Sequence, residues 1–351
     1  MKVLVLGGTG AMGVPLVELL NKEHNVFVTS RSVRKNYGNV RFIHGNARET
    51  SFIKNILKEH YDVIFDFSVC STENFKGRAA IFLSATEQYF FLSSSRVYAN
   101  SEIPLTESSP RLLDSCRDSQ YLCTDEYALA KAREENILMN SGKNNWTIIR
   151  PYITYNSERL QLGVYEKENW LNRVLDGKTV IFPKDIAEKQ TSLTYGFDVS
   201  KAMVKLMGNP KAFGEIFQVA TDQSIKWNEV LTIYSNILEK ECGIKVKVKY
   251  VENSETLQKV WNPYQIKYDR MLNRTFDSSK LYRTVGDFSY TDVYEGLSGC
   301  LLHFLKEPNW LNKNLDYEIW SDKQAKEWTS ISQIQGIKRK IYYVRQRYFQ
   351  K

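Results

Sequence analysis

The chain has 351 residues, of which 42% are hydrophobic and 25% charged, with a formal net charge of +8. That length can bury a large core and suits two lobes, and no apolar run approaches the ~20 residues of a membrane span. Five scattered cysteines, none paired at metal-ligand spacing, exclude a disulfide scaffold and read as free thiols of a cytoplasmic protein without a metal site.

The chain opens on the apolar run Val3-Leu4-Val5-Leu6, followed by Gly7-Gly8-Thr9-Gly10-Ala11-Met12-Gly13 and a helical pattern from Val14 to Leu20. A strand, a glycine turn and a helix in this order leave backbone N–H groups at a helix start, where a dinucleotide pyrophosphate is well placed. Gly7 permits the turn, Gly10 lets the backbone approach the phosphates and Gly13 lets the helix pack closely. Gly7, Thr9, Gly10, Ala11, Met12 and Gly13 are therefore candidate cofactor contacts.

Apolar runs at Val26–Val28, Val40–Ile43, Val63–Phe67, Tyr89–Leu92 and Trp146–Ile149 predict further strands, with helical patterns between several of them, including Phe52–Leu57 and Ala79–Ala85. This alternation predicts an α/β fold, a Rossmann-type doubly wound parallel sheet. The second strand runs into Ser30-Arg31-Ser32-Val33-Arg34-Lys35. A fold that prefers NAD typically ends that strand with an acid for the ribose 2′-hydroxyl. No acid stands here and three cations do, which favours the 2′-phosphate of NADP over NAD, with Ser30 and Arg31 as its contacts.

Tyr127 and Lys131 lie four apart in a helical stretch read as Asp125 to Met139, hence on one face. A nearby ammonium favours phenolate over phenol and equips the tyrosine to shuttle a proton at neutral pH. Upstream, Leu92-Ser93-Ser94-Ser95-Arg96-Val97-Tyr98 follows the fifth strand, and a serine there can donate a hydrogen bond to the carbonyl that the tyrosine protonates. Beyond Pro151 the alternation ends. Helix-like segments at Trp170–Leu175, Val199–Met207 and Trp227–Leu238 are joined by loops and a strand-like Ile244–Val251. The expected division is a dinucleotide-binding domain over 1–155, a smaller C-terminal substrate lobe over 156–336 that can return an element to the sheet, and a basic aromatic tail over 337–351. The tail carries Lys338, Arg339, Lys340, Arg345, Arg347 and Lys351 with no acid. It reads first as a solvated basic face, with nucleic acid or an anionic membrane surface as the alternative partner.

Taken together, these motifs resemble the extended short-chain dehydrogenases/reductases of the NAD-dependent epimerase/dehydratase type over roughly residues 1–220. The resemblance rests on Gly7-x-x-Gly10-x-x-Gly13, Ser94-Ser95-x-Val97-Tyr98, Pro104-Leu105-Thr106-Glu107-Ser108-Ser109-Pro110, Tyr127-x-x-x-Lys131, Arg150-Pro151-Tyr152-Ile153-Thr154-Tyr155 and Phe197-Asp198-Val199-Ser200-Lys201-Ala202. It implies Tyr127 as catalytic acid/base, Lys131 on the nicotinamide ribose and Ser94 as the catalytic hydroxyl. It also implies Pro151 and Ile153 near the nicotinamide, Ser68 near the dinucleotide, and Asn46 with Ala47 at the adenine, where relatives carry Asp. Relatives act on nucleoside-diphosphate sugars by hydride transfer at C4, and often form homodimers through paired helices.

Departures narrow the choice. Sugar 4,6-dehydratases carry Asp-Glu where Ser95 and Arg96 stand, and GDP-fucose synthases carry Cys at the place of Arg96. The diphosphate-contacting Arg of many relatives aligns with Thr191, with Lys189 close by. The resulting expectation is a reductase, ahead of a C4 epimerase, acting on a nucleotide sugar. A non-catalytic dinucleotide-binding scaffold or RNA-binding protein on the same fold is the alternative.

Overall fold

The computed structural model describes residues 1–349, and Lys351 of the basic segment lies outside the described residues. The chain forms two compact units, one of residues 1–156, 192–223 and 275–293 and the other of 157–191, 224–274 and 294–351.

The first unit is built on seven parallel strands: β1 (Lys2–Leu6), β2 (Asn25–Ser30), β3 (Val40–His44), β4 (Tyr61–Asp66), β5 (Thr86–Leu92), β6 (Trp146–Pro151) and β7 (Glu215–Val219). Their order in the sheet is β7-β6-β5-β4-β1-β2-β3. Helices α1 (Gly13–Leu20), α2 (Thr50–Ile56), α3 (Thr72–Ser84), α4 (Tyr127–Met139) and α5 (Gly196–Leu206) cover it. Both faces are buried, which is why the strands read as continuous apolar runs. In β1, Val3 and Val5 enter a core with Leu16 and Leu20 of α1 and Val199 and Met203 of α5. Leu4 and Leu6 point the other way, to Phe75 and Phe82 of α3 and Leu138 of α4. The strand order reverses between β1 and β4, the switch point at whose carboxyl ends such sheets bind ligands.

α4 begins at Tyr127, two residues later than the pattern suggested. The Glu126 side chain caps it, accepting from the Ala128 N–H at 2.9 Å. Asp125 is drawn off to Thr72, whose hydroxyl donates to it at 2.6 Å. The single boundary expected at residue 155 also gives way to repeated crossings, because β7 pairs with β6 from Glu215↔Thr147 to Val219↔Pro151 and must lie in the first unit.

In the second unit, Val180–Pro183 pairs in parallel with Val248–Val251, and Trp170 stacks on Tyr234 with ring centroids 4.6 Å apart. The fully buried Arg173 guanidinium donates to Glu318 and Asp322, both at 2.8 Å. The segment from 337 is not a separate tail. Ile337–Val344 is a helix of this unit, and Tyr343 closes a small core with Ile319 and Ile334. The buried Tyr343 hydroxyl satisfies Asp322, at 2.7 Å, which charge counting along the sequence does not show. All five cysteines are free thiols. No helix among the described residues is long and apolar enough to cross a membrane.

Candidate active site

Every candidate catalytic and cofactor residue lies in the first unit, on the turns that leave the carboxyl ends of the strands or on α4. The glycine turn has the form its sequence demands. Gly7 adopts φ +73°, a left-handed conformation that glycine tolerates, and its N–H donates to Thr29 Oγ1 at 3.1 Å. A Cβ on Gly13 would lie 2.6 Å from the Gly8 backbone, so the turn and α1 close on each other only without a side chain there. A Cβ on Gly10 would meet nothing within 4 Å. This open position, between an exposed Thr9 and half-exposed Ala11 and Met12, is the approach to the helix start. α1 has no acidic residue in its first turn and no side-chain cap, so its positive dipole end and the backbone N–H groups of Ala11 to Gly13 at its start suit an anion. The residues present therefore fit a dinucleotide pyrophosphate.

The turn is held from behind by a segment that spacing did not identify as part of it. Ser200 of α5 donates to the Met12 carbonyl oxygen at 2.7 Å. A Cβ on Gly196 would come within 2.8 Å of the Ala11 carbonyl oxygen, so Gly196 is a second glycine required by close approach.

At the end of β2, Ser30 is buried and its hydroxyl donates to the Ser32 carbonyl oxygen at 2.8 Å. Arg31 and the residues through Lys35 are exposed, and the His44 ring holds the Arg31 carbonyl oxygen at 3.1 Å. Asn46 is engaged locally, accepting from the Arg48 N–H and donating to Glu49, both at 3.1 Å. The neighbouring Ala47 carbonyl accepts from Arg78 at 2.7 Å. After β4, the Ser68 N–H and hydroxyl both donate to Asp66, which also accepts from the buried Tyr89 hydroxyl at 2.8 Å.

The three serines after β5 divide the work. Ser93 donates to Glu135 at 2.6 Å and Ser95 to the Arg150 carbonyl at 2.9 Å, fixing the turn. Ser94 Oγ accepts from the Arg96 N–H at 3.2 Å, and no acceptor for its own hydroxyl hydrogen stands among the described residues. Arg96 reaches α4, with its guanidinium 2.7 Å from Glu126 and 5.3 Å from the centre of the Tyr127 ring.

Tyr127 is half-buried in the first turn of α4, and Lys131 lies one turn further on, almost fully buried. Lys131 Nζ stands 2.9 Å from Glu134 and 4.5 Å from the centre of the Phe91 ring. Burial opposes the lysine charge, yet Glu134 and Tyr127 outweigh it and hold the ammonium above its ordinary range. The Glu134 carboxyl is itself pushed up by burial, with Lys131 opposing. Glu134 is thus a close partner of Lys131 that sequence spacing alone did not single out. After β6, Ile153 adopts φ +25°, an outlier for a β-branched residue and a form of strain that collects at ligand sites. Pro151 precedes it as the last residue of β6. Thr191, expected from the resemblance to stand in place of an arginine, is buried in the second unit in Gln190–Thr191, which pairs antiparallel with Ile225–Lys226. Lys189 precedes it, half-buried.

A doubly wound parallel sheet with a glycine turn at its switch point and a Tyr-x-x-x-Lys helix beside it defines a dinucleotide-binding protein of the short-chain dehydrogenase/reductase kind. The profile of the NAD dependent epimerase/dehydratase family matches residues 3–220, and the chain belongs to that family. No curated protein matches the sequence. Among solved structures, MoeE5 in complex with UDP-glucuronic acid and NAD is similar at TM-score 0.67 and 17% identity, over 88% of this chain and 100% of that one. The dTDP-glucose 4,6-dehydratase of Bacillus anthracis in complex with NAD is similar at TM-score 0.68 and 16% identity, over 88% and 98% of the two chains. The UDP-N-acetylglucosamine 4-epimerase of Methanobrevibacter ruminantium, in complex with UDP-N-acetylmuramic acid, gives TM-score 0.63 and 19% identity over 87% and 98%. These likenesses concern the fold.

Proposed function

We propose that this protein is an NADP-preferring reductase, ahead of a C4 epimerase, that transfers hydride at C4 of a nucleoside-diphosphate sugar. The observation that carries the reading is Arg96, whose N–H donates to Ser94 and whose guanidinium meets Glu126 and the Tyr127 ring one turn before Lys131, in a chain that belongs to the family. Complexes of similar structures with UDP-glucuronic acid and with UDP-N-acetylmuramic acid support a nucleotide-sugar substrate. Ser95 and Arg96 occupy the places of the dehydratase Asp-Glu pair, which supports a reaction that stops at hydride transfer.

The glycine turn and the start of α1 would hold the pyrophosphate, Ser30 and Arg31 the adenosine ribose end, and Asn46 and Ala47 the adenine. When bound, the dinucleotide would supply the hydride for C4 in the reducing direction. Tyr127 gives its phenolic proton to the developing C4 alkoxide, so the ketone becomes an alcohol with one hydride and one proton gained. The Lys131 ammonium stabilises the phenolate left behind and binds the nicotinamide ribose. Ser94 donates its hydroxyl hydrogen to the same oxygen. Arg31 and a β2 end without carboxylate favour NADP, although the dinucleotide in the similar MoeE5 and dTDP-glucose 4,6-dehydratase complexes is NAD.

The test is NADPH oxidation with 4-keto nucleotide sugars, in wild type and in Tyr127→Phe. The variant loses only the transferable proton and should lower turnover by about 10²–10⁴-fold, with cofactor affinity nearly unchanged. Turnover that survives the substitution removes Tyr127 from the role.

A further inference from the structure

The C-terminal helix has one face that the rest of the second unit uses and one that it leaves free. On the docked face, Tyr343 is buried against Ile319 and Ile334. Its hydroxyl donates to Asp322 and accepts from the Thr329 N–H, both at 2.7 Å. Arg347 donates to the Glu327 carbonyl oxygen at 2.9 Å and Arg339 to the Lys313 carbonyl oxygen at 3.1 Å. On the other face, Ile337, Ile341 and Tyr348 are 74%, 63% and 59% exposed. Their spacing of four and seven places them in one stripe. Trp328, 69% exposed, lies between Glu327 and Thr329, which are tied to Arg347 and Tyr343 on the docked face, and is no part of this stripe. Single exposed apolar residues are ordinary, whereas two isoleucines and a tyrosine aligned on one helix face mark an interaction site.

The charges on the helix itself have one sign. Lys338 and Arg345 are exposed and Lys340 half-exposed, and no acid follows Glu327 in the sequence. Of the nearby carboxylates, Asp316 is exposed, whereas Glu318, Asp322 and Glu327 are engaged within the unit. Glu318 and Asp322 hold Arg173 and Lys178, and the Glu327 carboxylate holds Arg173 and Thr179. Asp316 accepts from the Tyr342 hydroxyl at 2.7 Å.

We propose that this face docks on an anionic lipid bilayer, with Ile337, Ile341 and Tyr348 entering the headgroup boundary and Lys338, Lys340 and Arg345 meeting lipid phosphates. A bilayer interface takes aliphatic and cationic side chains together. A nucleic acid would use the cations and the aromatic faces but leave Ile337 and Ile341 against a phosphate backbone. The proposal is independent of the chemistry assigned to the first unit.

The experiment is co-sedimentation of the full chain with vesicles of phosphatidylcholine alone or mixed with phosphatidylglycerol, at low and high salt. Binding to the mixed vesicles only, weakened by salt, is the expected result. Lys338→Gln with Arg345→Gln should weaken binding about thirtyfold, from about fivefold per cation near an anionic surface. Ile337→Asp with Ile341→Asp should abolish it while leaving the circular dichroism spectrum and Tm unchanged, since both side chains face solvent. The proposal is overturned by absence of binding to phosphatidylglycerol vesicles at low salt. It is equally overturned if the Ile337→Asp, Ile341→Asp variant binds as wild type does, or if a single-stranded RNA oligonucleotide is bound while vesicles are ignored. Self-association in solution that the aspartates abolish, without vesicle binding, assigns the face to a second copy of the chain instead.

Discussion

Replacing Glu135 by alanine tests how the helix that carries Tyr127 is fixed to the sheet. Glu135 is fully buried on α4 and accepts from Arg150 Nε at 2.8 Å and its terminal nitrogen at 2.7 Å, from Arg111 at 3.1 Å and from Ser93 at 2.6 Å. Arg111 retains Asp114 after the substitution. Arg150, also buried, retains the Glu107 carbonyl at 3.1 Å and the Tyr98 ring, neither of which carries a negative charge. Removing one partner of such a buried pair costs about 3–5 kcal/mol, because the remaining charge stays desolvated. In a unit of roughly 200 residues, each kcal/mol moves Tm by about 2–4 °C, so Glu135→Ala should lower the transition of the first unit by about 6–20 °C. Glu59→Ala is the control. Glu59 meets Lys2 at 2.6 Å but in solvent, and such pairs contribute about 0–1 kcal/mol. Calorimetry at neutral pH, with circular dichroism to confirm the fold, compares the two. If Glu135→Ala shifts Tm no further than Glu59→Ala, the clasp is not sealed from water and the argument fails.

Arg31→Ala should weaken NADP by about tenfold or more, the loss of a charge-assisted contact of about 1.5–3 kcal/mol, and NAD little; equal losses in a fluorescence titration refute the 2′-phosphate assignment. Gly13→Ala forces a Cβ against the Gly8 backbone and should lower both Tm and dinucleotide affinity. Gly10→Ala, whose Cβ meets open space, should spare Tm and lower affinity alone. Burial, with Glu134 and Asp66 adding to it, pushes the Cys70 thiol up to about 11. At pH 8 iodoacetamide should therefore label the exposed Cys123 and Cys242 and leave Cys70 until the pH nears 11, as peptide mapping would show. The sign carries over to stability. The unfolded thiol ionises first, near 9.0, so this contribution is complete below that pH and is lost as the pH rises through about 11.

What could be read from the sequence was what the chain writes locally. β1 was legible because both of its faces are buried, and Tyr127 with Lys131 because four residues make a helical turn. β7 was not identified, since two of its five residues are Glu215 and Gln218. Gln218 is nevertheless fully buried, its amide donating to the Leu105 and Asp277 carbonyls at 2.9 and 3.1 Å. The first half of α3 was missed for a related reason. Thr72 to Arg78 is largely polar, and the helix start shows only in the Ser71 side chain, which accepts from the Asn74 N–H. The strain at Ile153 leaves no mark in residue type at all.

Glu134 and Glu135 are the sharpest case. Adjacent glutamates on a helix read as a solvated face, because carboxylates rarely enter a core unpaired. Both are buried because their cations arrive there: Lys131 from the preceding turn, Arg150 from 15 residues away and Arg111 from 24. A buried carboxylate is announced by its partner rather than by its own neighbours, and two of these partners arrive only with the tertiary fold. The hydroxyl of Tyr343 makes the same point in the second unit. The groups that hold the helix of Tyr127 and the terminal helix in place are long-range polar contacts, so they are the natural targets for substitutions that separate how the candidate site is positioned from what its chemistry is.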